Sequence, residues 1–566
     1  MRLRRSLALF ALVTGLAVLA GDSTDALGQP TPQEKKLKKG KKADITPAVP
    51  VAPDAKPPAA IIPAAKPGPL AKKDALALAK LIDAQIDRKL AEAKIPASLA
   101  CSDEEFVRRV YLDLTGVIPP ADKAKEFLDS TDPDKRAKLI DELLADPNFG
   151  RRLSDIWQAK LMPRGSDNRF VLREPFIKWL EENFNKNTPW DQLVYQLVTA
   201  TGTVEENPAV TYFLSNRSVD KLTDSVSQNF LGLQLQCAQC HNHPFTEWKQ
   251  TEYWGMAAFF SKVQPENPRN ANKGADNSKI GVTEGAGKSR LKDFFPESAK
   301  EVPAKVLGGP TVQISATEPY RPVLAKWMTA PGNPYFARAM TNRTWALLFG
   351  SGFINPVNDM LPENVPSNPE LLDALTRQFA ADGFDLKHLY RAICNTKAYQ
   401  RTSKPLPQNK NDDQFFSHMT IKIMSPEQLY DSLARVTGGG EGRPARPAAG
   451  AGRGGPGNGR DAFVQFYLAG ADTANPTEYE AGIPQALRLM NSRITGNPAV
   501  IRTFAGPKDT PAQVIEKIYL AALSRRPTKA ELDRLTQYVT KAASPTEAYG
   551  DILWAVLNSS EFAMVK

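Results

Sequence analysis

The sequence predicts a mainly α-helical protein with two helical domains, long irregular loops and a disordered N-terminal tether. Three observations support this fold class. Apolar residues recur at helical spacing through most of the chain, and only residues 302–316 have a strand-like composition. Two stretches rich in Pro, Ala, Lys or Gly have too few large apolar side chains to form a core. The 566 residues as a whole are 42% apolar, which is typical of a folded protein.

The helical pattern is clearest at the start of the predicted folded region. Between residues 75 and 95, leucine and isoleucine recur every four residues and therefore share one helix face. The segment Ser102-Asp-Glu-Glu105 matches a capping box that begins a helix, and Gly116 ends that helix. Further helices are predicted at 121–129, 134–145, 149–161, 174–185, 189–199, 219–236, 334–350, 368–382, 385–396, 425–437, 511–524, 528–542 and 545–560.

Residues 1–20 have the pattern of a cleavable secretory signal peptide. Arg2, Arg4 and Arg5 precede an apolar run of 15 residues that ends at Ala20. This run is shorter than the roughly 20 apolar residues of a membrane span, and no later segment is long enough. Asp22 stands where a lipoprotein would need Cys. We therefore predict export to the periplasm, the cell envelope or the extracellular space, with no membrane span after signal cleavage.

Composition divides the remaining chain into folded and linking segments. Residues 21–73 form a Pro/Ala/Lys-rich linker that we expect to be disordered. A first helical domain is predicted at 74–263, a loop-rich connector at 264–319 and a second helical domain at 320–566. Within the second domain, the Gly-rich residues 438–460 are predicted to be a disordered insertion.

The positive charge of the chain lies outside the predicted cores. The chain has 72 Lys and Arg against 62 Asp and Glu, a net charge of +10. Residues 1–29 carry +1, residues 30–73 carry +7 and residues 438–460 carry +3, which leaves the rest of the chain near −1. A lysine run in a linker is typical of a solvated segment. The folded part is not basic, so we predict no nucleic-acid binding.

A Cys-x-x-Cys-His pattern carries the most specific chemistry in the sequence. Cys237, Cys240 and His241 have the spacing of a c-type haem attachment site. Two thiols about one helical turn apart can each add to one haem vinyl group, and the next imidazole can bind the iron. Two of the four Cys and two of the four His fall within seven positions, so composition alone does not explain the pattern. We predict Cys237 and Cys240 as the thioether anchors of haem c, with His241 as the proximal iron ligand.

The same side chains also suit two other roles. A disulfide between Cys237 and Cys240 would close a small, reducible loop in an exported protein. A zinc or copper ion suits thiolate and imidazole ligands, and His243 would then be a possible ligand of this non-haem metal. The sequence leaves both alternatives open.

The sixth iron ligand does not follow from the motif. His243 is only two residues beyond His241 and would have difficulty reaching the opposite haem face. Met256 and Met360 are weak distal candidates: a Met/His pair raises the haem potential, but Met also commonly fills a core. An open sixth position is a further option. The nearby aromatic residues that we expect to supply a haem pocket are Phe245, Trp248, Tyr253, Trp254, Phe259 and Phe260.

Other segments nominate no catalytic residue. The sequence has no Walker loop, no Gly-x-Ser-x-Gly elbow and no His-Glu-x-x-His. Cys101 and Cys394 are the two remaining cysteines, and their separation in sequence does not say whether they pair. We interpret His388 and His418 as helix-surface or core residues rather than ligands.

Two long stretches resemble a known pair of domains. Residues of about 75–262 resemble the planctomycete cytochrome-c-like domain of unknown function, through Cys-Ala-Gln-Cys-His-Asn-His-Pro-Phe at 237–245 and Tyr-Trp-Gly-Met-Ala-Ala-Phe-Phe at 253–260. Residues of about 320–560 resemble its usual partner, the planctomycete-specific domain one, through Asn-Pro-Tyr-Phe-Ala-Arg at 333–338 and Ser-Asn-Pro-Glu-Leu-Leu-Asp at 367–373. The resemblance implies a cytochrome-like protein, although its cytochrome label rests largely on the Cys-x-x-Cys-His.

We therefore predict an exported monohaem c-type-cytochrome-like protein that exchanges single electrons with a redox partner protein. The competing prediction is a haem-free envelope or surface binding protein, in which residues 237–243 hold a metal ion or a disulfide and the second domain contacts an envelope component. The folded body of about 490 residues motivates this alternative, because one haem requires much less protein. The sequence specifies neither an enzymatic activity nor an oligomeric state.

Overall fold

Amphipathic helices form most of the structure, which confirms the mainly α-helical fold class. The computed structural model describes residues 74–162, 171–265, 276–285, 302–315, 317–438, 459–468, 483–491 and 500–566. The predicted signal peptide at 1–20, the predicted tether at 21–73 and residues 439–458 of the predicted insertion lie outside the described residues. Among the described helices, none combines the length and apolar composition that a membrane span needs.

Most helices of the first half agree closely with those predicted from periodicity, and those at Thr211–Ser215 and Gln250–Ala257 were not predicted. In chain order they are α1 Ala75–Ala93, α2 Asp103–Thr115, α3 Ala121–Asp129, α4 Lys135–Ala145, α5 Pro147–Leu161, α6 Arg173–Asn185, α7 Trp190–Val198, α8 Thr211–Ser215, α9 Val219–Val226 and α10 Gln250–Ala257. Helix α9 continues as a π-helical turn over Ser227–Leu231, and a 3-10 turn follows at Gln236–Gln239.

The second half is also helical. Its helices are α11 Arg321–Met328, α12 Phe336–Phe349, α13 Pro369–Ala381, α14 Leu386–Cys394, α15 Pro426–Val436, α16 Gly459–Tyr467, α17 Ile483–Met490, α18 Ile501–Phe504, α19 Pro511–Leu523, α20 Lys529–Lys541, α21 Pro545–Leu557 and α22 Ser560–Ala563. Helix α16 begins inside the stretch predicted as an insertion, because Arg460 is held by ion pairs to Asp155 on α5 and Asp431 on α15.

Strands are short and antiparallel. Strands β1 Gly202–Thr203, β2 Val263–Pro265 and β3 Gly281–Glu284 form a sheet in the order β1-β3-β2. A second sheet pairs β4 Lys422–Ile423 with β5 Met564–Val565. The strand-like composition of residues 302–316 does not produce a strand, since its described residues form only an isolated bridge between Lys305 and Thr311.

The start of α2 differs in part from the predicted capping box. The hydroxyl of Ser102 accepts the backbone N–H of Glu105 at 3.3 Å, as expected of an N-cap. The Glu105 carboxylate, however, accepts from the Arg109 guanidinium at 2.7 Å and from the Ser403 N–H at 2.6 Å. The acidic residue of the motif therefore holds a distant segment in place instead of closing the cap.

Buried apolar side chains form two clusters, and their boundary lies near residue 420. The first cluster contains residues from Ala75 to Met419 and so joins helices of both predicted domains. Trp190 of α7, for example, stacks on Phe336 of α12 with ring centroids 6.3 Å apart. The second cluster contains residues from Met424 to Val565, together with Leu112 and Ile118. All described residues belong to one compact unit.

Buried arginines of α2 connect these two clusters. Arg108 donates to the carbonyls of Ala522 at 2.9 Å and Phe562 at 2.7 Å. Arg109 donates to the carbonyls of Tyr399 at 2.7 Å and Lys566 at 2.7 Å. These charge-assisted bonds satisfy carbonyl groups at the ends of segments that would otherwise be buried without partners.

A buried polar network around Asp113 lies between the clusters. Lys422 donates to Asp113 Oδ1 at 2.6 Å and to the Leu348 carbonyl at 2.7 Å. The Tyr399 hydroxyl donates to Asp113 Oδ2 at 2.9 Å. Burial raises the pKa of the neighbouring Cys394 thiol well above its ordinary value and lowers the pKa of Lys422. We call Asp113, Lys422, Tyr399 and Cys394 the Asp113 network.

Candidate haem-attachment site

The segment that leads to the Cys-x-x-Cys-His motif is anchored in the first hydrophobic cluster. Arg343 of α12, itself buried, donates to the carbonyls of Gln228 at 3.2 Å and Asn229 at 3.5 Å in the π-helical turn. Gly232 then ends the helix with φ +68°, a conformation that L side chains rarely adopt. A Cβ at Gly232 would lie 3.0 Å from Met360 Sδ, so a close approach also requires glycine here.

Alternating leucines carry the chain from Gly232 to the cysteines. Leu231, Leu233 and Leu235 are buried, while Gln234 between them is half-buried. The 3-10 turn at Gln236–Gln239 then places Ala238 in the core with no exposed surface. Burial of Ala238 thereby fixes the turn, and Cys237 beside it is exposed.

Cys237 and Cys240 are both exposed and are free thiols. Side chains three residues apart in a 3-10 turn lie on the same side. We call residues 237–241 the CxxCH turn. The Gln250 side-chain amide of α10 donates to the carbonyls of Gln239 at 3.2 Å and Cys240 at 3.1 Å, which fixes the end of this turn. The two thiols are therefore presented together from a backbone that is held on its inner side.

His241 is exposed, and its hydrogen bond defines its tautomer. Nδ1 lies 2.7 Å from the backbone carbonyl of Asn242. Because a carbonyl only accepts, Nδ1 is the donor in this bond, and in the neutral ring Nε2 is then the nitrogen with the lone pair. A metal-binding histidine usually has this arrangement, in which a backbone carbonyl orients the ring through the other nitrogen.

His243 has a different role in the same loop. Its ring Nδ1 accepts the Phe245 backbone N–H at 3.3 Å, and the His243 backbone N–H donates to the Trp248 carbonyl at 2.8 Å. Partial burial lowers the pKa of His243, and the negative charges of Asp359 and Glu363 oppose this shift. The backbone of His243 thus holds the loop at residues 243–248 together, and Nδ1 of its ring is already engaged by Phe245.

The predicted distal ligands and most of the predicted pocket residues lie in the core. Met256 is fully buried and Met360 is 1% exposed, with the sulfur of Met360 packed against Gly232. Phe245 is 76% exposed. The other aromatic residues proposed for the pocket are buried: Trp248, Tyr253, Trp254, Phe259 and Phe260. These side chains fill the protein interior, and Phe245 is the one that offers apolar surface beside the CxxCH turn.

A carboxyl group near the turn was not selected by the sequence analysis. Asp224 of α9 accepts the Tyr253 hydroxyl at 3.2 Å and is also hydrogen-bonded to the Gln236 side chain. Burial raises the pKa of Asp224 to about 6, and the nearby charge of Asp220 adds to this shift. The available sequence signal was the pair of aspartates one helical turn apart on the helix before the motif.

The side chains of the CxxCH turn can be compared with what haem attachment and a metal site each need. The described residues contain no group of three or more His, Cys, Asp or Glu side chains placed to hold a metal ion. The two exposed thiols and the free Nε2 of His241 are the donor set that covalent haem requires. The other cysteines differ: Cys101 is buried with its sulfur 3.7 Å from Arg109 Nη1, and Cys394 is a free thiol inside the Asp113 network.

Comparisons with known proteins identify two family matches in the order predicted from the sequence. Residues 81–265 match the family model PSCyt2, described as a protein of unknown function (DUF1549). Residues 320–453 match the family model PSD1, described as a protein of unknown function (DUF1553). Comparisons with curated proteins and with solved structures gave no match. The CxxCH turn lies within the first match, and Met360 and Arg343 lie within the second.

Proposed function

Because the chain carries a PSCyt2 domain followed by a PSD1 domain, we propose that it is an exported c-type-cytochrome-like protein that transfers single electrons. The observation that carries the proposal is the CxxCH turn, which presents two free thiols and an outward imidazole lone pair on one exposed surface. Haem bound there would supply a one-electron couple. The motif occurs once, so one haem per chain is expected.

Each residue of the turn has a definite task in this proposal. The thiols of Cys237 and Cys240 would add across the two vinyl groups. Each addition would break one S–H bond and one vinyl π bond and form one C–S and one C–H bond, so no oxidant would be required. His241 would hold the iron through Nε2, while its Nδ1–H donates to the Asn242 carbonyl and holds the ring orientation. Gln250 fixes the backbone of the turn through the Gln239 and Cys240 carbonyls.

The surroundings of the turn favour electron exchange with a partner protein. His241 is exposed, and Phe245 offers an apolar surface nearby. A centre at the surface lets an electron pass to a docked redox protein without crossing the core. The signal-peptide pattern of residues 1–20 supports an exchange outside the cytoplasm, where covalent haem attachment takes place.

Haem retention by the denatured chain tests the proposal. The full-length protein is expressed in a bacterial host with haem-attachment machinery, denatured and examined by its pyridine haemochrome absorbance. We expect one haem per chain in the natural protein, none in Cys237→Ser/Cys240→Ser and one in the matched Cys101→Ser/Cys394→Ser variant. A denatured natural protein without haem absorbance overturns the proposal.

The histidines provide a second arm of the same experiment. In His241→Ala the thioether bonds remain while the iron loses its protein ligand, and added imidazole restores the spectrum. His243→Gln leaves the spectrum unchanged, because His243 is engaged within its own loop. If the sample holds no haem, bound zinc or copper, or a Cys237–Cys240 disulfide, would support the haem-free binding protein instead.

A further inference from the structure

Asp224 is a half-buried carboxyl group whose neighbours do not neutralise it. It lies four residues after Asp220 on α9, so both carboxylates occupy the same helix face. In the described part of the chain, Asp224 forms no ion pair with Lys, Arg or His. A carboxylate in such a place is stabilised only by hydrogen bonds.

The hydrogen bonds of Asp224 link it to the residue before the CxxCH turn and to helix α10, which follows the turn in the chain. The Tyr253 hydroxyl of α10 donates to Asp224 Oδ1 at 3.2 Å, and the Gln236 side chain at the start of the 3-10 turn also bonds to the carboxylate. The thiol of Cys240 is close enough to Tyr253 to act on its pKa. Asp224 is thus hydrogen-bonded to Gln236, the residue that precedes Cys237, and to Tyr253 on the helix that holds the end of the turn.

The balance of these contacts favours proton uptake near neutral pH. Burial is the largest influence and raises the pKa of Asp224, and Asp220 raises it further, while the Tyr253 and Gln236 bonds partly oppose the shift. The result is a pKa of about 6, whereas an ordinary aspartate has 3.8. A small change in local charge is then enough to change the protonation state of Asp224 at neutral pH.

We propose that Asp224 takes up the proton that accompanies one-electron reduction of a haem held by Cys237, Cys240 and His241. This inference rests on the proposed function. One electron arrives from the redox partner protein, one proton arrives from solvent at the Asp224 carboxylate, and no bond to the iron or the thioethers changes. Added negative charge at the centre favours the neutral carboxyl, and by reciprocity protonation of Asp224 favours the reduced centre.

The pH dependence of the midpoint potential tests this coupling in the haem-loaded full chain. In the natural protein, the potential falls as the pH rises from about 5 to about 8. Asp224→Asn removes this fall and has the higher potential at neutral pH, because it lacks the negative charge. Asp220→Asn is the matched control. Its midpoint potential should still fall as the pH rises, but at lower pH, because the charge of Asp220 no longer raises the pKa of Asp224.

Redox-triggered infrared difference spectroscopy supplies an independent readout. We expect a protonated-carboxyl band to appear on reduction near neutral pH in the natural protein and to be missing in Asp224→Asn. A haem-loaded protein whose potential does not depend on pH, or depends on it equally in Asp224→Asn, overturns this inference alone. A protein without haem overturns the proposed function and this inference together, and absorbance identifies that case before any potential is measured.

Discussion

The CxxCH turn and the Asp113 network contain similar side chains in opposite surroundings. Each region contains at least one free cysteine and a polar side chain that forms a hydrogen bond: His241 in the turn and Tyr399 in the network. In the Asp113 network, both carboxylate oxygens of Asp113 are occupied, one by Lys422 and the other by Tyr399. In the CxxCH turn, both thiols are exposed and unbridged, and within the described ranges neither they nor His241 Nε2 has a hydrogen-bond partner.

This difference separates a structural polar cluster from a site that can bind a ligand. Where every donor and acceptor is already paired within the protein, a ligand would have to break those bonds. Where the backbone is fixed and the side chains are unpaired, a ligand can bind without breaking a hydrogen bond within the protein. Residue type alone therefore does not identify a ligand-binding site. The hydrogen-bond partners of each side chain also have to be considered.

Thiol reactivity is expected to show the largest contrast between the two regions. In haem-free native protein, Cys237 and Cys240 should react readily with iodoacetamide. Cys101 and Cys394 should react at least about a thousandfold more slowly, since they require an opening that costs several kcal/mol. Burial also raises the pKa of both buried thiols, which lowers the reactive thiolate fraction.

Peptide mass spectrometry after timed labelling measures these rates. Labelling in urea is the control, because all four cysteines should then react at similar rates. Equal labelling of the buried and the exposed pairs in native protein would show that the contrast in burial is wrong.

Stability should respond mainly to the Asp113 network. Lys422→Met leaves the Asp113 charge buried without its cation, and we expect a loss of about 3–5 kcal/mol in the free energy of unfolding. Cys237→Ser/Cys240→Ser should change that free energy by no more than about 0.5 kcal/mol, because both side chains are exposed. Urea unfolding of the haem-free proteins compares them directly, and similar losses in both variants would contradict the structural role assigned to the network.

The pH dependence of the free energy of unfolding should reveal the raised pKa of Asp224. Its pKa is raised on folding, so the folded chain binds the proton more tightly than the unfolded chain does. The stability that this proton contributes is present at low pH and is lost as the pH rises from about 4 to about 6. In the Cys237→Ser/Cys240→Ser background, Asp224→Asn should therefore be more stable by about 2 kcal/mol at neutral pH and nearly equal near pH 4. A difference that does not change with pH would contradict the raised pKa.

The smallest expected effect concerns the clamp on the CxxCH turn. Gln250→Ala removes the hydrogen bonds to the Gln239 and Cys240 carbonyls, which should reduce local stability by about 1 kcal/mol. Amide hydrogen exchange at residues 237–241 should then become roughly fivefold faster, with global unfolding almost unchanged. The exposed Gln537→Ala on α20 is the control. Unchanged exchange in Gln250→Ala would mean that the turn is held by other contacts.

Local pattern predicted the helices well because their determinants are local. The four-residue spacing before Ile95 and the glycine at 116 reappear as α1 and as the left-handed end of α2. The partner of Glu105 was not predictable, since Ser403 is almost 300 residues away in sequence. The strand-like composition of 302–316 was misleading, because a strand also requires a partner that composition does not provide.

The motif itself was visible in the sequence, but its surroundings were not. Cys237, Cys240 and His241 are brought to one exposed turn, as their spacing predicts. Met256 was chosen by residue type, whereas the structure uses it to fill the core. Asp224 could not be predicted, because an aspartate on a helix is ordinary until the fold places Tyr253 and Gln236 against it.

The mass of one tryptic peptide tests the central claim most directly. Cleavage after Lys221 and Lys249 releases residues 222–249, which contain both cysteines and both histidines of the motif. In exported protein from a host that attaches haem, we predict that this peptide carries the mass of one haem bound through two thioethers. A peptide recovered with two free thiols, or with a disulfide between Cys237 and Cys240, would contradict the assignment.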